Sequence, residues 1–126
     1  MTEGMQMIKI IEGLPSNVVG FEAVGRVDSA DYQDVLDPAI TAALADHDKL
    51  RLIYVLGPDF ADYSGGAMWE DTKVGVGHWS RWERIAVVTD KTPVKEGMKY
   101  FGWMVPGDLK VFSVAELDDA KAWAAA

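Results

Sequence analysis

The sequence predicts an α/β domain with a mixed five-stranded sheet and four helices. Short apolar runs rich in Val and Ile alternate with segments of helical apolar spacing, in the order β-β-α-β-α-β-α-β-α. The short polar link between the first two strands favours an antiparallel hairpin, and the helices between the later strands favour parallel pairing. A length of 126 residues fits one domain, residues 1–126.

The N-terminal part predicts a hairpin followed by a helix. "MIKIIE" (7–12) and "VVGFEAVGRV" (18–27) have strand character, and "GLPSN" between them is turn-forming. Asp28 or Ser29 can cap the first helix, and Pro38 inside it predicts a kink near Asp37. The apolar face of this helix consists of Tyr32, Val35, Leu36, Ala39, Ile40, Ala43 and Leu44.

The remaining chain predicts three strands and three helices. The predicted strands are "LRLIYVLG" (50–57), "RIAVVTD" (84–90) and "LKVFS" (109–113). The predicted helices cover about 65–78, 93–105 and 114–126. In the last helix, Leu117, Ala120 and Trp123 share a plausible inner face.

Composition excludes several classes of protein. The net charge of −8 argues against nucleic acid as a partner, because phosphate contacts need clustered Lys and Arg. The chain has no cysteine, no metal-ligand spacing of His, Asp or Glu, and no dinucleotide fingerprint, so we expect no metal and no cofactor. Neither a signal peptide nor a membrane-spanning run is visible, which predicts a soluble cytoplasmic protein.

The capped segment "DSADYQDVLDPAI", the segment in which Pro106-Gly107 precedes "LKVF", and the amphipathic terminal helix resemble a known family. They resemble the SpoIIAA-like proteins, small bacterial proteins with the STAS fold of anti-sigma-factor antagonists. The resemblance covers nearly the whole chain. It implies a single STAS-like domain, for which apolar-ligand binding and membrane association have been proposed.

"DYSGGA" (62–67) resembles the turn that a partner kinase phosphorylates in the STAS antagonists. Tyr63 stands where those proteins have the phosphorylated serine, and Ser64 matches only the hydroxyl residue after it. The resemblance therefore implies a phosphorylation or partner-docking turn at Asp62, Tyr63, Ser64 and Gly65.

Ser64 has three open interpretations: a nucleophile, a phosphate acceptor, or a helix cap. A nucleophilic serine needs a neighbouring base and a Gly-x-Ser-x-Gly turn, but Asp62 replaces the first glycine and neither His47 nor His78 is near in sequence. We therefore predict that the protein is not an enzyme, with no catalytic residue. The cap is the simplest alternative, since serine accepts from free helix N–H groups.

Aromatic residues concentrate in and around the predicted second and third helices, at Trp69, Trp79, Trp82, Tyr100, Phe101 and Trp103. Core packing explains any one of them, but the third helix is apolar over more than one face. The surplus predicts an apolar or lipid-like ligand in a cleft between these helices, or an exposed interface such as a homodimer contact. The predicted ligand-binding residues are Tyr63, Trp69, Met98, Phe101, Trp103 and Met104.

Lys91, Lys95 and Lys99 recur every four residues beside this aromatic surface. A basic helix with aromatic residues is typical of membrane-surface binding, which predicts transient membrane contact through Lys95, Lys99 and Trp103. A solvated basic face on an acidic protein is the alternative.

Two functional hypotheses follow. The first is a non-enzymatic carrier or sensor that binds an apolar small molecule or lipid. The alternative is a regulatory protein–protein interaction module of the antagonist type, which docks a protein partner through the 62–67 turn.

Overall fold

The fold is an α/β domain on a five-stranded sheet. In the computed structural model, the structure describes residues 8–63, 81–101 and 107–126, with the backbone alone at 29, 59, 61–63 and 97–101. The strands are β1 (Ile8–Ile10), β2 (Val18–Val27), β3 (Leu50–Tyr63), β4 (Trp82–Thr89) and β5 (Asp108–Phe112).

The sheet follows the chain order, β1-β2-β3-β4-β5. β1 pairs antiparallel with β2, and β2, β3, β4 and β5 pair parallel to one another. The predicted mixed sheet, with its hairpin followed by parallel strands, is therefore confirmed. Because the four parallel strands share one direction, their carboxyl ends meet at one edge of the sheet.

A helical stretch follows β2 and contains a π-helical segment. It runs through α1 (Ser29–Asp31), π-helical residues Tyr32–Leu36, and α2 (Asp37–Asp46). Pro38 has no N–H to donate to the carbonyl four residues earlier, and the N–H of Asp37 bonds the carbonyl of Tyr32, five residues back. The irregularity predicted near Asp37 thus takes the form of a π turn before the proline.

Two apolar clusters cover the two faces of the sheet. On one face, Tyr32, Leu36 and Ile40 of the helical stretch pack against Phe21 and Tyr54. The cluster on the opposite face contains Ile53, Val55, Val88 and Phe112 with Ala120 and Ala124 of the terminal helix. The alternation along β3 explains this division, because successive strand residues point to opposite faces.

The described residues contain three helices, when the stretch from α1 through α2 counts as one. The other two are α3 (Thr92–Phe101) and α4 (Leu117–Ala125), the latter preceded by a 3₁₀ turn at Val114–Glu116. The prediction of four helices is therefore not matched. The predicted helix at 65–78 lies outside the described residues, as does the end predicted for the third helix, 102–105.

β3 is longer than predicted. The sequence predicted a strand ending at Gly57 and a turn beyond it, but β3 continues to Tyr63. The extension is possible because β2 still offers a pairing edge, with Gly25 opposite Phe60, Arg26 opposite Asp62 and Val27 opposite Tyr63. The register shifts around Gly25, whose φ of +70° suits glycine and accommodates the irregularity.

Trp82, predicted as part of the aromatic set around the helices, is instead a core residue of β4. Its side chain is buried in the same cluster as Leu50 and Tyr54. β4 begins two residues earlier than the predicted strand, and pairing with Leu50 brings Trp82 into the sheet.

Candidate functional site

The carboxyl edge of the parallel strands is the candidate functional site. β4 pairs with β3 only as far as Thr89 opposite Leu56, whereas β3 continues to Tyr63 along β2. The extension carries Asp62 and Tyr63, two residues of the predicted docking turn, to the edge where α/β sheets commonly bind their ligands. Both lie in a strand, whereas the sequence predicted a turn.

Thr89 fixes the point at which β3 passes the end of β4. Its side chain is fully buried, and its hydroxyl donates to the carbonyl of Leu56 at 2.9 Å. The same oxygen accepts the N–H of Lys91 at 3.1 Å. One side chain therefore joins the end of β4, the start of the β3 extension and the loop into α3.

Lys91 adds a contact to the extension itself. Its Nζ lies 5.8 Å from the ring centroid of Phe60, within the range of a cation–π interaction. Phe60, a residue of the β3 extension, is buried in the core. The loop before α3 thus packs against the β3 extension as well as hydrogen-bonding to β4.

A buried polar pair lies between the helical stretch and β3. The hydroxyls of Tyr32 and Tyr54 are 3.0 Å apart, and both side chains are buried. The π turn begins at Tyr32, so it helps to set the position of this side chain over the sheet. Asp31, also buried, accepts the N–H of Asp28 at 2.8 Å and closes the turn after β2.

Hydrogen bonds also connect the residues after β5 to the carboxyl edge of the parallel strands. Asp90 accepts the N–H of Val114 at 3.2 Å, which links the loop after β4 to the turn before α4. Ser113 and Glu116 form a capping box, in which the N–H of Ser113 donates to the Glu116 carboxylate at 2.9 Å. These hydrogen bonds from Ser113 lower the pKa of Glu116 below its ordinary value, with smaller contributions from Lys110 and Lys95.

The predicted apolar-ligand site lies mainly outside the part of the chain whose side chains are described. Trp69, Trp103 and Met104 fall outside the described residues, as do Ser64 and Gly65. Met98, Lys99 and Phe101 are in α3, where the structure gives the backbone alone. The ligand cleft therefore stays a prediction.

Lys95 is the predicted membrane-contact residue whose side chain is described. It is partly buried, and its charge acts on Glu116 at the turn before α4. Among the described residues, no helix combines the length and apolarity needed to cross a membrane. The predicted membrane contact stays a prediction.

Within 8–63, 81–101 and 107–126, no group of three or more His, Cys, Asp and Glu side chains is placed to hold a metal ion. His47 contacts Ser16, with its Nε2 3.1 Å from the hydroxyl. Ser16 precedes β2 and His47 precedes β3, so this pair lies near the start of the parallel strands, away from the end of β3.

Thr89 and the Tyr32–Tyr54 pair were not predicted as functional residues. The available signal for Thr89 was weak: one hydroxyl residue at the end of the apolar run "RIAVV". Tyr32 and Tyr54 both had the spacing of core residues. Nothing in their spacing shows that their hydroxyls meet, because that depends on how the helical stretch lies over β3.

Comparisons with known proteins agree with this arrangement. The family model described as SpoIIAA-like matches residues 18–125, from the first residue of β2 to the last residue of α4. The chain belongs to the SpoIIAA-like family. None of the curated proteins compared with this chain matches it.

A solved structure shows the same fold as this SpoIIAA-like protein. The crystal structure of an uncharacterized protein of the DUF3478 family from Shewanella loihica PV-4, with a SpoIIAA-like fold, matches with a TM-score of 0.79. The two chains are 23% identical, and the match covers 98% of each. The neighbour supports the sheet and helix arrangement of the SpoIIAA-like domain.

Proposed function

We propose that this SpoIIAA-like protein is a non-enzymatic regulatory module that docks a protein partner at the carboxyl edge of its sheet. The observation that carries the proposal is the β3 extension, which takes Asp62 and Tyr63 beyond the last paired residue of β4. The resemblance to STAS antagonists implies partner docking at residues 62–67, which begin in this extension.

Several contacts hold the β3 extension in place, as a docking surface requires. Thr89 anchors its first residues, Lys91 packs on Phe60, and pairing with β2 continues to Tyr63. A surface held by a buried hydrogen bond and a strand ladder loses little conformational entropy when a partner binds. The edge is therefore suited to recognition by shape and charge.

The test begins with a tagged full-length chain expressed in its own cells. Proteins recovered with it are identified by mass spectrometry, and the affinity of each purified candidate is then measured by titration. We expect Asp62→Asn to weaken binding of a true partner at least tenfold. Asp46→Asn is the matched control, because Asp46 is exposed and lies at the end of α2, just before β3 begins.

Equal loss of affinity in both variants, or no loss in either, would contradict docking at the β3 end. Native mass spectrometry of the same purified chain separates the alternatives. A phosphate-sized mass increase at Tyr63 or Ser64 would support the regulatory module. A stoichiometric apolar adduct, with no protein partner, would instead favour the carrier hypothesis.

A further inference from the structure

The terminal helix α4 is attached to the sheet differently from the first helical stretch. That stretch buries Tyr32, Leu36 and Ile40, whereas the fully buried side chains of α4 are Ala120 and Ala124. An alanine removes far less apolar surface from water than a leucine or isoleucine, so its burial contributes less to docking. Leu117 and Trp123 add contacts but stay partly exposed.

Two arginines on neighbouring strands hold the C-terminal end of α4. Arg51 of β3 and Arg84 of β4 are paired in the sheet register. Arg51 donates to the carbonyl of Ala124 at 2.9 Å and also to a main-chain oxygen of Ala126. Arg84 donates to the carbonyl of Trp123 at 2.6 Å and to a main-chain oxygen of Ala126 at 3.3 Å.

These contacts supply what a helix C-terminus lacks. The last carbonyls of a helix have no partner within the helix and carry its partial negative charge, which guanidinium groups stabilise. Arg84 also stacks on the Trp123 ring, with 5.3 Å between its Cζ and the ring centroid, and Trp123 packs on Phe112. The arginine clamp, Arg51 with Arg84, therefore fixes both the backbone and the one large side chain at this end.

We propose that α4 is a latch that the arginine clamp holds closed and that opens as a unit while the sheet stays folded. A helix of nine residues is only marginally stable on its own, so α4 should unfold once it leaves the arginine clamp. The capping box at Ser113 and Glu116 sits at the other end of α4 and acts as the hinge. Opening uncovers an apolar strip of the sheet formed by Ile53, Val55, Val88 and Phe112.

The arginine clamp is separate from the docking edge, although the hinge at Ser113 and Glu116 lies at the carboxyl edge. The clamp lies near the start of β3 and β4, whereas the docking edge lies at the end of β3. Opening of α4 thus provides a second change of surface on the same sheet.

Native-state hydrogen exchange of the full chain tests the latch. In low denaturant we expect the amides of residues 121–124 in the wild-type protein to exchange at least a hundredfold faster than those of 53–55 and 86–88. Exchange of the α4 amides should also depend less on denaturant concentration, because opening one helix exposes less surface than unfolding the domain.

Variants of the clamp give the second measurement. Arg84→Met and Arg51→Met keep most of the apolar stem and remove the guanidinium, so each should accelerate exchange in α4 about tenfold and leave the sheet amides within about twofold. Lys9→Met is the control, since Lys9 is an exposed cation on β1. It should leave α4 exchange unchanged.

The proposal is overturned if wild-type α4 exchanges only with the sheet, at the same rate and with the same denaturant dependence. It is also overturned if the clamp variants accelerate α4 and the sheet equally. If a clamp variant fails to fold, the wild-type denaturant series still decides between a latch and an integral helix.

Discussion

Thr89→Val tests whether one buried hydroxyl anchors the β3 extension. Valine has nearly the same shape as threonine, so the substitution removes the hydroxyl without opening a cavity. Two hydrogen bonds are lost, the one donated to the Leu56 carbonyl at 2.9 Å and the one accepted from the Lys91 N–H at 3.1 Å. Thr89 is 0% exposed, so water does not replace the hydroxyl at the Leu56 carbonyl.

At about 1 kcal/mol for each lost hydrogen bond, the free energy of unfolding should fall by about 2 kcal/mol. For a domain of this size, that corresponds to a decrease in Tm of roughly 8 °C. Urea unfolding followed by far-UV circular dichroism measures the change directly. The midpoint should shift while the m-value stays constant, because the surface exposed on unfolding is unchanged.

Thr41→Val is the matched control, since Thr41 is exposed within α2 and threonine and valine have similar helix propensities. It should change stability by less than about 0.5 kcal/mol. Hydrogen exchange adds a local criterion: in Thr89→Val, the amides of 57–63 should lose more protection than those of 51–55. If Thr89→Val unfolds at the same urea concentration as the wild type, the hydroxyl does not anchor the extension. Thr89 would then no longer be an argument for a firmly held docking edge.

Three further predictions concern other parts of the fold. Gly107→Ala should destabilise the protein by about 1–3 kcal/mol, because the new Cβ would lie 2.7 Å from the main-chain oxygen of Trp82. Urea unfolding measures this change. A variant as stable as the wild type would show that the start of β5 can shift. Tyr54→Phe should cost about 1 kcal/mol in the same assay, since it removes one hydroxyl of the buried tyrosine pair, and an unchanged midpoint would show that this bond adds nothing. The hydrogen bond from Arg51 lowers the pKa of Glu83 below 4.5, so Glu83 stabilises the fold above that pH and loses its contribution as the pH falls through the lowered value.

The Glu83 contribution is small because its side chain is 44% exposed. Glu83→Gln should lower stability at pH 7 by no more than about 0.5 kcal/mol. Thermal unfolding of both proteins between pH 7 and pH 3 measures the pH dependence. The two curves should approach each other below pH 4.5, and a difference that grows on acidification would contradict the assigned direction of the pKa.

Much of the candidate site depends on contacts that the sequence does not specify. The segment "PDFADY" contains proline and two acids, which favour a turn, yet it forms strand because β2 offers a partner up to Val27. That partner is 30 or more residues away along the chain. A local pattern cannot indicate that β2 and β3 both overrun the end of β4.

The arginine clamp shows the same limit. Arg51 and Arg84 each lie near the start of an apolar strand, a position where a polar residue normally faces solvent. Their guanidinium groups instead reach the carbonyls of a helix 39 or more residues downstream. Only the parallel register that pairs Arg51 with Arg84, and the placement of α4 over both, brings these groups together.

By itself the sequence determined the order of the five strands along the chain, the N-terminal hairpin, the parallel pairing of the later strands, and the covering helices that the structure describes. These follow from apolar periodicity and turn chemistry, which act over a few residues and are visible in the chain. Only the tertiary structure decided how far β3 extends, which hydroxyls meet in the core, and what holds α4 in place. Those features come from pairing register and from the way helices lie on the sheet, and both are set by packing between residues distant in the chain.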